Sequence, residues 1–165
     1  MTRPFLILSL ATVLATPLAF GQDAVRVEPT AFQGPRPLAS QTQASVIRDY
    51  LDAWKSLSAA LDQNRPDLLG QDFVGVARDR FAQTIEEQRK FGLSARYLEP
   101  SHDIQIIFYS PEGLSIQLVD NIEYSEQLLD RGRLVTTQPV RARYVAVLTP
   151  SEVRWRVRVL QSETQ

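Results

Sequence analysis

A chain with one histidine and no cysteine has few routes to chemistry, and most of them run through carboxylates and phenols. Asp120 is the first such residue. Leu114, Ile116, Leu118, Ile122 and Tyr124 share its parity, so an unbroken strand would aim its carboxylate at the core, opposite Ala142. A carboxylate in an apolar pocket has its pKa raised and can act as a general base or acid. Tyr124 and Tyr144 are the donors expected beside it, and Tyr50 or Asp52 would reach in from a helix upstream. These residues are the candidate catalytic set only if the strand is unbroken. The cost of burying a charge favours the other arrangement, a bend at Asp120-Asn121 that turns both polar groups to solvent.

His102 follows Pro100-Ser101 and is expected on an exposed loop. A lone histidine lacks the nucleophile and orienting carboxylate of a triad, and no GxSxG, P-loop or GxGxxG pattern occurs. Without cysteine there are no disulfides and no thiolate catalysis, and one histidine rules out zinc-finger and multi-histidine sites. No metal and no cofactor are expected. Trp54 and Trp155 lie in apolar phase and are expected in the core.

The second candidate is a surface. Arg154, Arg156 and Arg158 alternate with Val153, Trp155, Val157 and Val159. The expected register sets Arg143 opposite Arg158, with Arg141 nearby, and like charges directly opposite need a neutralising partner. Ile107, Tyr109, Val119, Val145 and Val147 share this outer face, a mixture closer to interface composition than to bare solvent surface. Arg141, Arg143, Arg154, Arg156, Arg158 and Tyr109 are therefore the candidate partner-binding residues, for a protein partner or for self-association.

The elements that must position these residues are legible from periodicity. Val46, Ile47, Tyr50, Leu51, Trp54, Leu57 and Leu61 form one stripe, predicting a helix over Ala44–Gln63 that ends at Asn64-Arg65-Pro66. Phe73, Ala77, Phe81 and Ile85 predict a second helix over Asp72–Phe91, with Gly92 as its C-cap. The period then becomes two. A short edge strand over Ser94–Glu99 is followed by strands over Asp103–Tyr109, Leu114–Leu128, Leu134–Leu148 and Val153–Leu160, with Pro139 at a bulge or edge. The turn Ser110-Pro111-Glu112-Gly113 pairs Phe108 with Ile116, Ile106 with Leu118 and Ile104 with Asp120. The last hairpin pairs Leu148 with Val153, Ala146 with Trp155, Tyr144 with Val157 and Ala142 with Val159. Both registers collect apolar side chains on one face, which the helices must cover.

The 165 residues carry 18 basic and 19 acidic side chains, a net charge of −1, and 44% of them are hydrophobic. One globular domain is expected, and a near-neutral chain is a poor nucleic-acid binder. Residues 1–21 have the three parts of a secretory signal: Arg3, an apolar run from Phe5 to Leu14, and Ala19-Phe20-Gly21 before the cut. The apolar run ends at Pro17, short of the roughly 20 residues that a spanning helix needs. A secreted or periplasmic chain is expected, with no stable membrane anchor after cleavage. Residues 22–43, rich in proline, are expected as an extended linker, 44–161 as the domain and 162–165 as a tail.

Two helices followed by a long antiparallel meander resembles the cone-shaped nuclear transport factor 2-like fold, over about Ala44 to Gln161. The segments Phe81-Ala82-Gln83, Gly92-Leu93-Ser94-Ala95-Arg96-Tyr97-Leu98-Glu99, Asn121-Ile122-Glu123-Tyr124-Ser125-Glu126, Arg143-Tyr144-Val145-Ala146-Val147-Leu148 and Arg154-Trp155-Arg156-Val157 carry it further. In that order they look like the intermembrane-space domain of plastid division proteins and its bacterial relatives. The resemblance implies an α+β fold, with N-terminal helices on a curved antiparallel sheet of about four strands. It does not carry over a division role, since this superfamily includes enzymes, ligand binders and interaction modules. The leading expectation is an exported, non-catalytic binding module that uses the outer sheet face or the cone. The alternative is a small-molecule-binding or lyase/isomerase-type cone with Asp120 as acid or base. An open cavity lined by tyrosine would favour the alternative, and a filled cone the leading expectation. A purely structural envelope or secretion accessory is a third reading, which the sequence does not separate from the leading one.

Overall fold

A computed structural model describes residues 24–28 and 34–163. The export signal expected over residues 1–21 lies outside the described residues. In chain order the elements are β1 (Ala24–Val27), α1 (Ser40–Gln63), a 3-10 turn (Pro66–Leu69), α2 (Gly75–Phe91), β2 (Leu93–Tyr109), β3 (Ile116–Asp130), β4 (Arg133–Pro150) and β5 (Trp155–Glu163). The sheet has five strands in the order β1-β2-β3-β4-β5. All pairs are antiparallel except β1 with β2. The added strand is β1, from the stretch expected as a linker.

α1 buries Val46, Tyr50, Ala53, Trp54, Leu57, Ala60 and Leu61, the stripe that its spacing dictates. It stops at Asn64, whose left-handed φ of 52° suits a side chain that tolerates that region. α2 starts three residues later than the pattern predicts. Asp72–Val74 instead bond to β5, Val157 N to Asp72 O at 2.8 Å and Val74 N to Val157 O at 3.0 Å. At its far end Gly92 adopts φ 70° and donates to the carbonyls of Gln88 and Arg89.

The strands differ from the predicted ones where bulges intervene. Pro100 does not end a strand. Glu99 takes φ 51° and a bulge between Leu98 and Ser101 carries β2 through. The pairs Ile104 with Asp120 and Ile106 with Leu118 stand as predicted, but Ile116 meets Tyr109 rather than Phe108. This second bulge turns Tyr109 inward, so it is buried instead of facing outward. The β3–β4 turn is two residues, Arg131 and Gly132, both left-handed as a type I′ hairpin requires. Asp120 accordingly pairs with Tyr144, not Ala142.

The last hairpin has a different register altogether. Ser151 N bonds to Arg154 O, so the turn is Ser151–Arg154, two residues later than expected, and Pro150 stands opposite Trp155. Leu148 therefore meets Val157, and after a bulge Ala146 meets Leu160 and Tyr144 meets Ser162. The bulge brings both Val157 and Leu160 to the core face. Pro139 lies on the stretch of β4 that β5 does not cover, where a missing N–H costs no ladder bond.

Candidate functional site

Asp120 sits in an unbroken stretch of β3, paired with Ile104 on one side and Tyr144 on the other. The expected bend at Asp120-Asn121 is absent, and the residue is 0% exposed. The partners that make this tolerable were not all legible beforehand. Tyr50 Oη donates to Asp120 Oδ2 at 2.9 Å, reaching in from α1. His102 Nδ1 lies 2.7 Å from the same oxygen. His102 is 3% exposed rather than on a surface loop, because the Glu99-Pro100 bulge keeps β2 intact and places it in phase with Ile104 and Ile106. That shared parity was the signal for it in the sequence. Asp52 does not reach the site; it pairs with Lys55 at the surface.

Rings surround this pair. Trp54 is central, with ring centroids 5.7 Å from His102, 5.3 Å from Tyr144, 6.4 Å from Tyr124 and 6.5 Å from both Tyr50 and Tyr97. Tyr97 and Tyr124 pack at 4.5 Å. A cavity of about 580 Å³ opens between α1 and the sheet, lined by Leu51, Trp54, Tyr97, His102, Ile122 and Tyr124 among others. Its lining includes the Arg96–Asp62 ion pair and Lys55, which pairs with Asp52 outside the lining. Val25 of β1 forms part of the wall. The volume lies in the usual range for small-molecule sites, and the walls are mainly apolar.

The tyrosines are fixed as donors. Burial pushes the Tyr50 hydroxyl well above the ordinary phenol range, and the negative Asp120 adds to the shift. The Trp54 indole N–H lies near enough to Tyr50 to oppose this, yet no acceptor stands in hydrogen-bonding geometry to it among the described residues. Burial likewise raises Tyr97, Tyr124 and Tyr144, with Glu126 contributing at each. Asp120 holds Nδ1 of the imidazole, which fixes the ring's orientation and leaves Nε2 as its other polar atom. Such a pair can take a proton from a bound ligand and return it. No group of three metal-ligating side chains exists among the described residues.

No protein-family profile matches the sequence, nor does any curated protein sequence. Solved structures do match. The intermembrane space region of the chloroplast protein ARC6 superimposes with a TM-score of 0.61 at 16% identity, over 79% of this chain and 100% of that one. The chain has the nuclear transport factor 2-like fold. A putative scytalone dehydratase from Novosphingobium aromaticivorans also matches, with a TM-score of 0.47 at 15% identity, over 76% of this chain and 89% of that one.

Within this nuclear transport factor 2-like fold the arginines do not form one array. Arg143 pairs with Glu163 instead of facing Arg158, and Arg141 pairs with Glu123. Arg154 bonds to Asp72, and Arg156 donates to the carbonyls of Gly70 and Phe73, tying β5 to the segment before α2. The Arg158 side chain lies beside Gly75. Tyr109 packs edge-on against Trp155 at 6.3 Å, with the Arg36 guanidinium 5.1 Å from its ring centroid.

Proposed function

We propose that this protein is a small-molecule-binding cone in which His102 and Asp120 act as an acid–base pair at the cavity wall. The observation that carries the reading is the bond from buried His102 to buried Asp120, at 2.7 Å, with His102 lining the cavity. An imidazole so held can remove a proton from a ligand carbon and deliver it to another carbon or to a leaving hydroxyl, as an isomerase or a lyase does. The pattern of residues 1–21 supports export, so the ligand is met outside the cytoplasm. An interaction role through the outer sheet is less well supported, because four of the five arginines singled out for it have partners within the chain.

The reading is tested by thermal unfolding of the full mature chain against neutral aromatic compounds. A ligand that binds only the folded state raises the melting temperature. Ala59 lines the cavity, so Ala59→Trp should fill it and abolish the rise while the domain remains folded. A folded wild-type protein that no such compound stabilises would overturn the proposal.

A further inference from the structure

The shape and charge of the cavity specify the kind of ligand, an inference that rests on the reading of the cavity as a binding site. Two contacts mark its ends. Trp54 packs on His102 with ring centroids 5.7 Å apart, and Arg96 Nε donates to Asp62 Oδ1 at 3.1 Å. All four residues line the cavity, so α1 and β2 form its long walls and run in opposite directions. The α1 wall reaches from Leu51 to Gln63, about 18 Å at 1.5 Å per residue. A volume of about 580 Å³ drawn out over that length is a trough, wide enough for one chain or one ring.

The two ends differ in chemistry. At the inner end His102 is 3% exposed, and its neighbours on the adjacent strands are the apolar Val25 and Ile122, which also line the cavity. At the outer end stand Arg96, Asp62, Gln63 and Ser58. Asp62 is the one carboxylate in the lining, against the two cations Arg96 and Lys55. It takes Nε and Nη2 of Arg96 on a single oxygen. A guanidinium has five N–H donors, so Arg96 keeps some for a second acceptor. Lys55 is held by an exposed pair with Asp52, which lies outside the lining, and such a pair holds weakly. An anionic head therefore meets two cations, whereas a cationic head meets one carboxylate already engaged.

We infer that the cavity takes an elongated carboxylate, with its apolar body along the trough and its carboxylate at Arg96. His102 then meets the end of the molecule farthest from that carboxylate. Arg96 is a specificity-determining residue, and Asp62 opposes the ligand by holding the same guanidinium. The apolar inner end accepts a neutral aromatic group by itself, and the charged head adds affinity.

The test is calorimetric titration of the full mature chain at pH 7 with decanoate, decan-1-ol, decylammonium and butanoate. Decanoate should bind at least about tenfold more tightly than the alcohol or the amine, the worth of a hydrogen bond to a charged group. It should bind at least about a hundredfold more tightly than butanoate, which buries six fewer methylenes. Two substitutions in one ion pair separate recognition from structure. Arg96→Gln should weaken decanoate about tenfold and Asp62→Asn should strengthen it about threefold, while neither moves decan-1-ol by more than about twofold. A merely structural pair would give both variants the same sign. A second measurement needs no variant: decanoate should shift the resonances of the single histidine, because its tail lies against His102. If the alcohol or the amine binds as tightly as decanoate, or both variants change decanoate affinity in one direction, the anionic head fails while the cavity reading stands. If butanoate matches decanoate, or the histidine resonances stay in place with decanoate bound, the elongated placement fails. If no ten-carbon probe binds while a neutral aromatic compound still stabilises the fold, this inference fails alone. If neither kind binds, the cavity reading fails with it.

Discussion

Two regions of the molecule each bury carboxylates and satisfy them differently. Next to the start of β5, Asp49 and Asp72 use every oxygen. Asp49 accepts from Arg48 on Oδ1 and from the Trp155 backbone N–H on Oδ2. Asp72 accepts from Ser56 on one oxygen and pairs with Arg154 on the other. Asp49 ties α1 to the start of β5, and Asp72 links Ser56 of α1 to Arg154 just before β5. Beside the cavity Asp120 puts two partners on one oxygen and leaves the other without one among the described residues. Neither partner is a guanidinium. A fully saturated carboxylate is a fastener; a carboxylate bonded to an imidazole on a cavity wall, with capacity left over, is set up for chemistry.

This contrast can be broken most sharply at Asp72. Asp72→Ala leaves Ser56 and the partly buried Arg154 without their acceptor, and should lower unfolding free energy by about 2–3 kcal/mol in urea titration. Asp120→Asn keeps the shape and one acceptor oxygen, and should cost no more than about 1 kcal/mol. It should nevertheless weaken ligand binding about tenfold, because the imidazole loses its anionic orienting partner. Equal destabilisation by the two variants, with binding intact in Asp120→Asn, would erase the distinction.

The aromatic cluster supplies a prediction of pH dependence. Tyr50, Tyr97, Tyr124 and Tyr144 ionise above the ordinary range in the folded state. In the unfolded chain they ionise near pH ~10. Above that pH the unfolded state binds fewer protons than the folded one, so stability is full below pH ~10 and falls as pH rises further. Urea midpoints measured from pH 9 to 11 should show this fall, and Tyr97→Phe with Tyr124→Phe should make it shallower. A midpoint that does not decline would contradict the burial of these hydroxyls.

The smallest effects separate the arginines. Arg156→Ala removes the ties to Gly70 and Phe73 and should cost about 1–2 kcal/mol. Arg141→Ala loses an exposed pair with Glu123 and should stay within about 0.5 kcal/mol. Similar costs for both would mean that the β5 arginines are not structural.

What the sequence disclosed, and what it hid, follows the same division. The stripe of α1, the Gly92 cap and the pairing of Ile104 with Asp120 depend on local periodicity and turn chemistry, and all are present; the Ser110–Gly113 turn is present too, but the strands leave it with Tyr109, not Phe108, opposite Ile116. Bulges are single-residue events with no composition of their own, and one moved Tyr109 inward; the last hairpin's register changed because its turn falls two residues later, with a bulge beyond it. The expected pairing of Arg143 with Arg158 disappeared with that register. The desolvation argument against a buried Asp120 left out His102, expected on an exposed loop; His102 and Tyr50 lie 18 and 70 residues away in sequence. Only the fold brings them together. Trp54 was legible as an apolar-phase residue and Tyr97 only as part of an edge strand, and their place on a cavity wall depends on how α1 stands over the sheet.

The most direct test uses the fact that the chain has one histidine. In an NMR spectrum the imidazole resonances belong to His102 without need of assignment. Saturation with biphenyl-4-ol should shift them clearly, and Ala59→Trp should prevent the shift. Imidazole resonances that stay in place while the alcohol is demonstrably bound would put the ligand elsewhere, and would contradict the assignment of the His102–Asp120 pair to the functional site.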